Sequence, residues 1–119
     1  MPIFDETTPV NPNGRLSGKV AYITGAGSVG AGWGNGRAMA IRFAQEGATV
    51  FGVDIDADRL RETAEIVQSA GGKFVAGTCD VVDSASIRAS IHECHSVLGR
   101  IDVLVNNVGG SAKGGPVEM

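Results

Sequence analysis

The chain has 119 residues, of which 43% are hydrophobic, 19% charged and 5% aromatic. This length suits one domain, whose core must be built from Val, Ile, Leu and Ala rather than from aromatic side chains. The formal net charge is -3 at pH 7 and no cluster of Lys and Arg stands out. These features argue against nucleic acid as a partner.

The two cysteines, Cys79 and Cys94, are too few for a disulfide framework, so we expect both to be reduced thiols. Residues 1–17 are predicted to form a Pro-rich tail, and residues 18–119 the folded domain. The tail lacks the basic start and apolar run of a signal peptide, and no stretch approaches the ~18 apolar residues that cross a bilayer. We therefore expect a cytoplasmic protein with no membrane segment.

Short apolar runs alternate along the chain with segments of helical spacing, and glycines follow most of the helical segments. Asp83 is a candidate N-cap for the third helical segment. The predicted elements are strands over residues 19–24, 48–53, 74–79 and 101–105, and helices that begin near residues 36, 57 and 84 and end at Gly47, Gly71 and Gly99.

Nearly continuous apolar strands separated by helices predict a parallel sheet that is covered on both faces. Right-handed crossovers then place successive helices on the sheet. We expect an α/β fold: a partial Rossmann-like, doubly wound parallel sheet of about four strands and three helices in three layers, α/β/α.

A glycine-rich loop, residues 25–36, joins the first predicted strand to the first predicted helix. Glycines let the backbone approach a pyrophosphate, and a helix N-terminus offers N–H groups and the positive end of a dipole. Gly25 to Gly30 match the pattern G-x-G-x-x-G, whereas Gly34 and Gly36 directly precede the helix. A helix that ran through several glycines would lose about 1 kcal/mol at each relative to alanine. We therefore expect the helix to begin near Gly36 and the site to use both ends of the loop.

Asp54 ends the second predicted strand and lies 18 residues beyond Gly36, close to the roughly 20 expected for a ribose-binding carboxylate. A carboxylate there can accept hydrogen bonds from both ribose hydroxyls of NAD and would repel the 2′-phosphate of NADP. The sequence therefore predicts NAD as the preferred cofactor. The alternative is that Asp54 only caps a turn before the next helix.

Five sets of residues, taken together, resemble the landmarks of the classical short-chain dehydrogenase/reductase family. The resemblance covers the chain from about Leu16 onward and rests on the order and spacing of the sets. They are Thr24-Gly25-Ala26-Gly27-Ser28, Gly34-Asn35-Gly36-Arg37-Ala38, Asp54, Asp80-Val81 and Asn106-Asn107-Val108-Gly109.

The resemblance implies a role for each matching residue in binding a dinucleotide, and none as a proton donor. In the complete family enzyme, a hydride passes between nicotinamide and a secondary alcohol or ketone. The implied contacts are Gly25, Ser28, Gly34, Asn35 and Gly36 around the pyrophosphate, Asp54 on the adenosine ribose, Asp80 and Val81 beside the adenine, and Asn107 and Gly109 near the nicotinamide.

The sequence departs from the family pattern in three places. Residues 29–33 are five extra residues within the glycine motif, and Val108 replaces the usual alanine. The family's catalytic Ser and Tyr-x-x-x-Lys would lie beyond residue 119, and Tyr22, the only tyrosine, falls in the first strand. We expect a truncated, inactive cofactor-binding portion with no catalytic residue.

The alternatives are a non-catalytic dinucleotide-binding or sensor module, and a methyltransferase, which would leave the motif that begins at Asn106 unexplained.

Other candidate sites are weaker. His92 and His95 share a helical face, but Cys94 belongs to the apolar stripe and is expected to point inward, so no metal site is predicted. Ala31 and Gly32 stand where a phosphate-binding P-loop needs Lys and Ser/Thr, which argues against an ATPase or GTPase. Trp33 is expected to pack over the glycine turn. A small-molecule substrate is implied only for the complete protein.

The fourth predicted strand, residues 101–105, is nearly all apolar and would be internal in a complete doubly wound sheet. In this chain it is expected to be an edge strand, and only the charge of Asp102 opposes its pairing with a strand of another molecule. We therefore expect homo-oligomers or other self-association through this strand.

Overall fold

The structure, a computed structural model, describes residues 7–29, 35–78 and 83–107. Strands and helices alternate along these residues, and none of the helices there is long and apolar enough to cross a membrane. The elements are β1 (Val20–Thr24), α1 (Gly36–Gln45), β2 (Thr49–Asp54), α2 (Ala57–Ser69), β3 (Lys73–Thr78), α3 (Ser84–Leu98) and β4 (Val103–Val105).

The four strands form one parallel sheet in the order β3-β2-β1-β4. Tyr22 in β1 pairs with Phe51 in β2 on one side and with Leu104 in β4 on the other. Because all strands run in the same direction, their carboxyl ends meet at one edge of the sheet. The predicted partial Rossmann-like α/β fold is confirmed.

Side chains of β1 alternate between the two faces of the sheet, as successive residues of a strand must. Ala21 and Ile23 pack against α1 and α2 in one hydrophobic cluster, with Ile41 of α1 and Leu60 of α2. Val20, Tyr22, Phe51 and Val53 form the other cluster with Cys94 of α3. The sheet is thus the middle of three layers, with two helices on one face and one on the other.

Several predicted helix ends are observed. Asn35 is the N-cap of α1, so this helix begins at Gly36 as expected. The Asp83 carboxylate accepts a hydrogen bond from Ala85 N as the N-cap of α3, and Gly99, with φ of 81°, ends that helix in the left-handed conformation.

The last strand is shorter than predicted because Asp102 does not continue it. Asp102 N donates to Val20 O at 2.9 Å, and its carboxylate accepts from Val20 N at 2.8 Å. The carboxylate also accepts from Arg100, which lowers the pKa of Asp102, and the Val20 N–H lowers it further. Asp102 therefore holds the beginning of β1 rather than standing free to protect the edge, and β4 begins at Val103.

The described part of the N-terminal tail runs along the C-terminal ends of α1 and α2. Val10 N donates to Ala70 O at 3.0 Å, Asn11 N to Gln45 O at 2.9 Å, and Leu16 N to Glu46 O at 2.8 Å. Gln45, a polar residue in the last turn of α1, is only 5% exposed beside this tail. The boundary at residues 17 and 18 stays a prediction.

Candidate functional site

The carboxyl ends of β1 and β4 bring the glycine loop against Asn107. Gly25 directly follows β1 and has φ of +64°, a conformation that favours glycine. Its carbonyl accepts hydrogen bonds from Ser28 Oγ at 2.9 Å and from Asn107 Nδ2 at 3.4 Å. A Cβ atom at Gly25 would lie 2.2 Å from Asn107 O. Glycine at this position therefore allows both the turn and the close contact.

The N-terminus of α1 packs on the same turn. A Cβ atom at Gly36 would lie 1.9 Å from Gly25 O, so the helix can approach the loop only with glycine there. Gly36 N donates to Ser28 Oγ at 3.4 Å. Gly36 thus permits the close packing of helix and strand that a dinucleotide fingerprint requires of one of its glycines.

The first N–H groups of α1 have acceptors within the chain. Arg37 N donates to Ser28 O at 3.0 Å, Ala38 N to Asn35 Oδ1 at 2.8 Å, and Met39 N to Asn35 O at 3.3 Å. A phosphate at this helix end would therefore take over N–H groups that Ser28 and Asn35 now satisfy.

Asp54 ends β2 and is only 8% exposed. Its Oδ2 accepts from Gly27 N at 2.9 Å, and its Oδ1 accepts from Asp56 N at 2.9 Å. The carboxylate therefore forms the turn expected of a local cap and also contacts the glycine loop. The local cap is therefore observed, and the ribose-binding role of Asp54 stays a prediction.

Gly27 is needed for packing against α2. A Cβ atom there would lie 2.8 Å from the backbone of Arg59 and Leu60. The second helix, α2, thus also packs directly on the loop.

The predicted site did not include Thr24 or Thr63, both of which are fully buried. Thr24 Oγ1 lies 3.1 Å from Asn106 Oδ1 and joins the ends of β1 and β4, while Thr63 Oγ1 donates to Ala26 O at 3.0 Å. Thr24 stands within the quoted glycine motif, which could have identified it. Thr63 lies in the middle of α2, where nothing in the local pattern distinguishes it.

The structure brings Gly25, Ser28, Gly36 and Asn107 together in one cluster of hydrogen bonds and close contacts. Asn35 adjoins the cluster as the cap of α1, and Asp54 adjoins it through Gly27. The other predicted site residues, and the tryptophan expected over the turn, lie outside the described residues: Gly34, Asp80, Val81, Gly109 and Trp33.

The histidine-rich segment of α3 is arranged as expected. Cys94 is fully buried in the cluster beneath α3, whereas His92 and His95 are exposed. Burial, and then the nearby Glu93 carboxylate, raise the pKa of the Cys94 thiol to about 11. Over residues 7–29, 35–78 and 83–107 the structure places no three His, Cys, Asp or Glu side chains where they could share a metal ion.

Residues 19–119 match the family model of the short chain dehydrogenases. The chain belongs to this family. It is 42% identical over 104 residues to 7α-hydroxysteroid dehydrogenase of Escherichia coli strain K12, and the match covers 87% of this chain and 38% of that enzyme. The family resemblance seen in the sequence is confirmed.

Solved structures of short-chain dehydrogenases share this fold. A Burkholderia xenovorans protein assigned to the family superposes with a TM-score of 0.75 and 53% identity, over 87% of this chain and 41% of that one. A Mycobacterium paratuberculosis enzyme bound to NAD gives a TM-score of 0.70 and 37% identity, over 81% of this chain and 38% of that one. The chain thus spans only about two fifths of the length of these relatives, from 38% to 41%.

Proposed function

We propose that this chain is the NAD-binding portion of an oxidoreductase that transfers a hydride between nicotinamide and a secondary alcohol or ketone. The observation that carries the proposal is the contact between Asp54 and the glycine loop, in which Oδ2 lies 2.9 Å from Gly27 N. A carboxylate at the end of β2, beside a glycine turn and the start of α1, is the arrangement that dinucleotides need. The NAD-bound relative from Mycobacterium paratuberculosis supports the choice of ligand.

The residues around the turn fit a pyrophosphate. Gly25 and Gly36 let the turn after β1 and the N-terminus of α1 pack directly on each other, and Ser28 Oγ is hydrogen-bonded to both glycines. In the proposed complex these residues, with Gly34 and Asn35, hold the pyrophosphate, Asp54 the ribose, Asp80 and Val81 the adenine, and Asn107 and Gly109 the nicotinamide end. The cofactor itself supplies the hydride chemistry when it is bound.

Asp54 is the proposed determinant of cofactor choice. Its carboxylate attracts the neutral ribose hydroxyls of NAD through hydrogen bonds, but it repels the doubly charged 2′-phosphate of NADP. We therefore propose NAD over NADP.

Within its 119 residues the chain holds no Tyr-x-x-x-Lys, and we propose that it binds cofactor without turning over substrate. Its one tyrosine, Tyr22, is fully buried in β1, and its hydroxyl is hydrogen-bonded to Ser90 Oγ. A buried hydroxyl on the α3 face cannot act as the proton donor at the loop. The substrate belongs to the whole protein, and the cytoplasmic location stays a prediction.

Titration with NADH and NADPH tests the cofactor proposal. We expect the unmodified chain to bind NADH at least about tenfold more tightly than NADPH, a difference of about 1.4 kcal/mol. Asp54→Asn removes the charge but keeps an oxygen that can accept from Gly27 N, so we expect it to reduce this preference while the loop stays in place. Asp58→Asn, on an exposed carboxylate paired with Arg61, is the matched control.

Equal affinity of the unmodified chain for NADH and NADPH would contradict the role of Asp54. Binding of S-adenosylmethionine in place of NADH would favour the methyltransferase alternative. Oxidation of a secondary alcohol by the purified chain with NAD would contradict its proposed inactivity.

A further inference from the structure

The peptide group between Ala26 and Gly27 is held on both of its sides. Ala26 O accepts a hydrogen bond from Thr63 Oγ1 at 3.0 Å, and Gly27 N donates to Asp54 Oδ2 at 2.9 Å. Ala26 N also donates to Val53 O at 3.1 Å. The direction in which the chain leaves β1 is therefore fixed by groups from β2 and α2, not by the loop alone.

Thr63 is fully buried, and its hydroxyl lies between Arg37 and the glycine loop. Arg37 Nε donates to Thr63 Oγ1 at 2.9 Å. Because a guanidinium has only donors, Thr63 must accept from it and direct its own single proton elsewhere. The available acceptors are Ala26 O at 3.0 Å and Arg59 O at 3.3 Å. Ala26 O is the nearer acceptor, so the hydroxyl that accepts from Arg37 is placed to hold the loop peptide.

Arg37 also connects both ends of the glycine loop to α2. Its backbone N–H donates to Ser28 O at 3.0 Å. Its side chain is 16% exposed and donates to Glu62 Oε1 at 2.8 Å and to Arg59 O at 3.1 Å. Such a charge-assisted set of bonds is stronger and more directional than a neutral contact.

We propose that Arg37 and Thr63 are positioning residues for the cofactor loop: they hold the Ala26–Gly27 peptide so that Gly27 faces Asp54 and the loop presents its backbone to the pyrophosphate. The inference rests on the proposed function, because the ligand is the same dinucleotide. Neither side chain needs to contact the cofactor. Without them, the loop peptide can rotate, and part of the binding energy is then spent on ordering it.

Thr63→Val and Thr63→Ser test the role of the hydroxyl. Valine has a similar shape but leaves Arg37 Nε and Ala26 O without the hydroxyl, and serine keeps it. We expect Thr63→Val to weaken NADH binding about tenfold, as the loss of one buried hydrogen bond would, and Thr63→Ser to restore affinity to within about twofold. Arg37→Met removes the hydrogen bond from Arg37 Nε to the Thr63 hydroxyl, and we expect it to weaken NADH binding by a similar factor. This variant tests the proposal if Thr63→Val does not fold.

Val67→Ala is the control for general loss of stability. Val67 is a buried residue of α2 that packs in the core. We expect Val67→Ala to lower the urea midpoint at least as much as Thr63→Val, yet to leave NADH affinity within about twofold of the unmodified chain. Equal weakening of NADH binding in both variants would overturn the proposal, as would unchanged binding in Thr63→Val.

Exchange of the Gly27 amide hydrogen, measured without NADH, tests the positioning independently of cofactor binding. We expect exchange to be about tenfold faster in Thr63→Val than in the unmodified chain and in Val67→Ala, because the peptide opens locally. A chain that does not bind NADH would contradict the proposed function. Unchanged Gly27 exchange in Thr63→Val would overturn the positioning role, whatever the binding result.

Discussion

The two faces of the sheet are covered very differently. On one face α1 and α2 pack over Ala21, Ile23 and Val50, all of which are fully buried. On the other face, among the described residues, α3 alone packs against the sheet, and Leu104 of β4 stays 41% exposed. Both helices of the first face, α1 and α2, contact the described part of the glycine loop. The proposed cofactor site is therefore built on the more densely packed side.

Core truncation on each face is expected to show the largest contrast. Ile41 of α1 is buried, whereas Ile91 of α3 is only partly buried. We expect Ile41→Ala to cost about 3 kcal/mol of unfolding free energy and Ile91→Ala about 1 kcal/mol, because less apolar contact is lost from the thinner layer. Urea unfolding of both variants measures this. Equal losses would mean that α3 is held as firmly as α1.

A charge on the thinly covered face is expected to change association. Because Leu104 pairs with Tyr22, it faces the α3 side, while Val103 packs partly against the core beneath α1 and α2. We expect the chain to self-associate through β4, and Leu104→Lys to shift it toward the monomer, since a lysine opposes burial of this edge. Sedimentation velocity at several concentrations measures the shift. A chain that stays monomeric at high concentration would rule out the proposed interface.

The smallest effect on stability is expected at Asp102, which directly precedes β4. Arg100 and the Val20 N–H lower the pKa of Asp102 in the folded chain, so its ionised form stabilises the fold. That contribution is present above the unfolded pKa of about 4 and is lost as the pH falls through the lower folded value. We expect Asp102→Asn to lower the melting temperature slightly at pH 7 and by less at pH 3. The same difference at both pH values would exclude the carboxylate charge as the cause.

The parts of the site that the sequence predicts are those that depend on neighbours in the chain. Gly25, Ser28 and Gly36 surround one turn, and Asp54 follows directly from a strand end. Spacing points to the glycines and to Asp54, and the family resemblance adds Ser28. Their conformations and contacts agree with that placement.

The parts that sequence patterns miss depend on contacts between distant segments. Thr63 is an ordinary helical residue until α2 packs on the loop, and Gln45 becomes buried at an end of α1 where the N-terminal tail contacts the helix. Asp102 was expected to protect the edge strand, but its carboxylate accepts hydrogen bonds from Val20 N and Arg100. Periodicity describes one element at a time and does not show which elements meet.

The most direct test of the proposed cofactor site is amide hydrogen exchange across the chain with and without saturating NADH. We expect NADH to slow exchange at least about tenfold at Gly27, Ser28 and the first turn of α1, and to leave α3 nearly unchanged, because the cofactor orders only the face that α1 and α2 support. Unchanged exchange in the glycine segment, or equal protection of α3, would contradict a dinucleotide site built on that face.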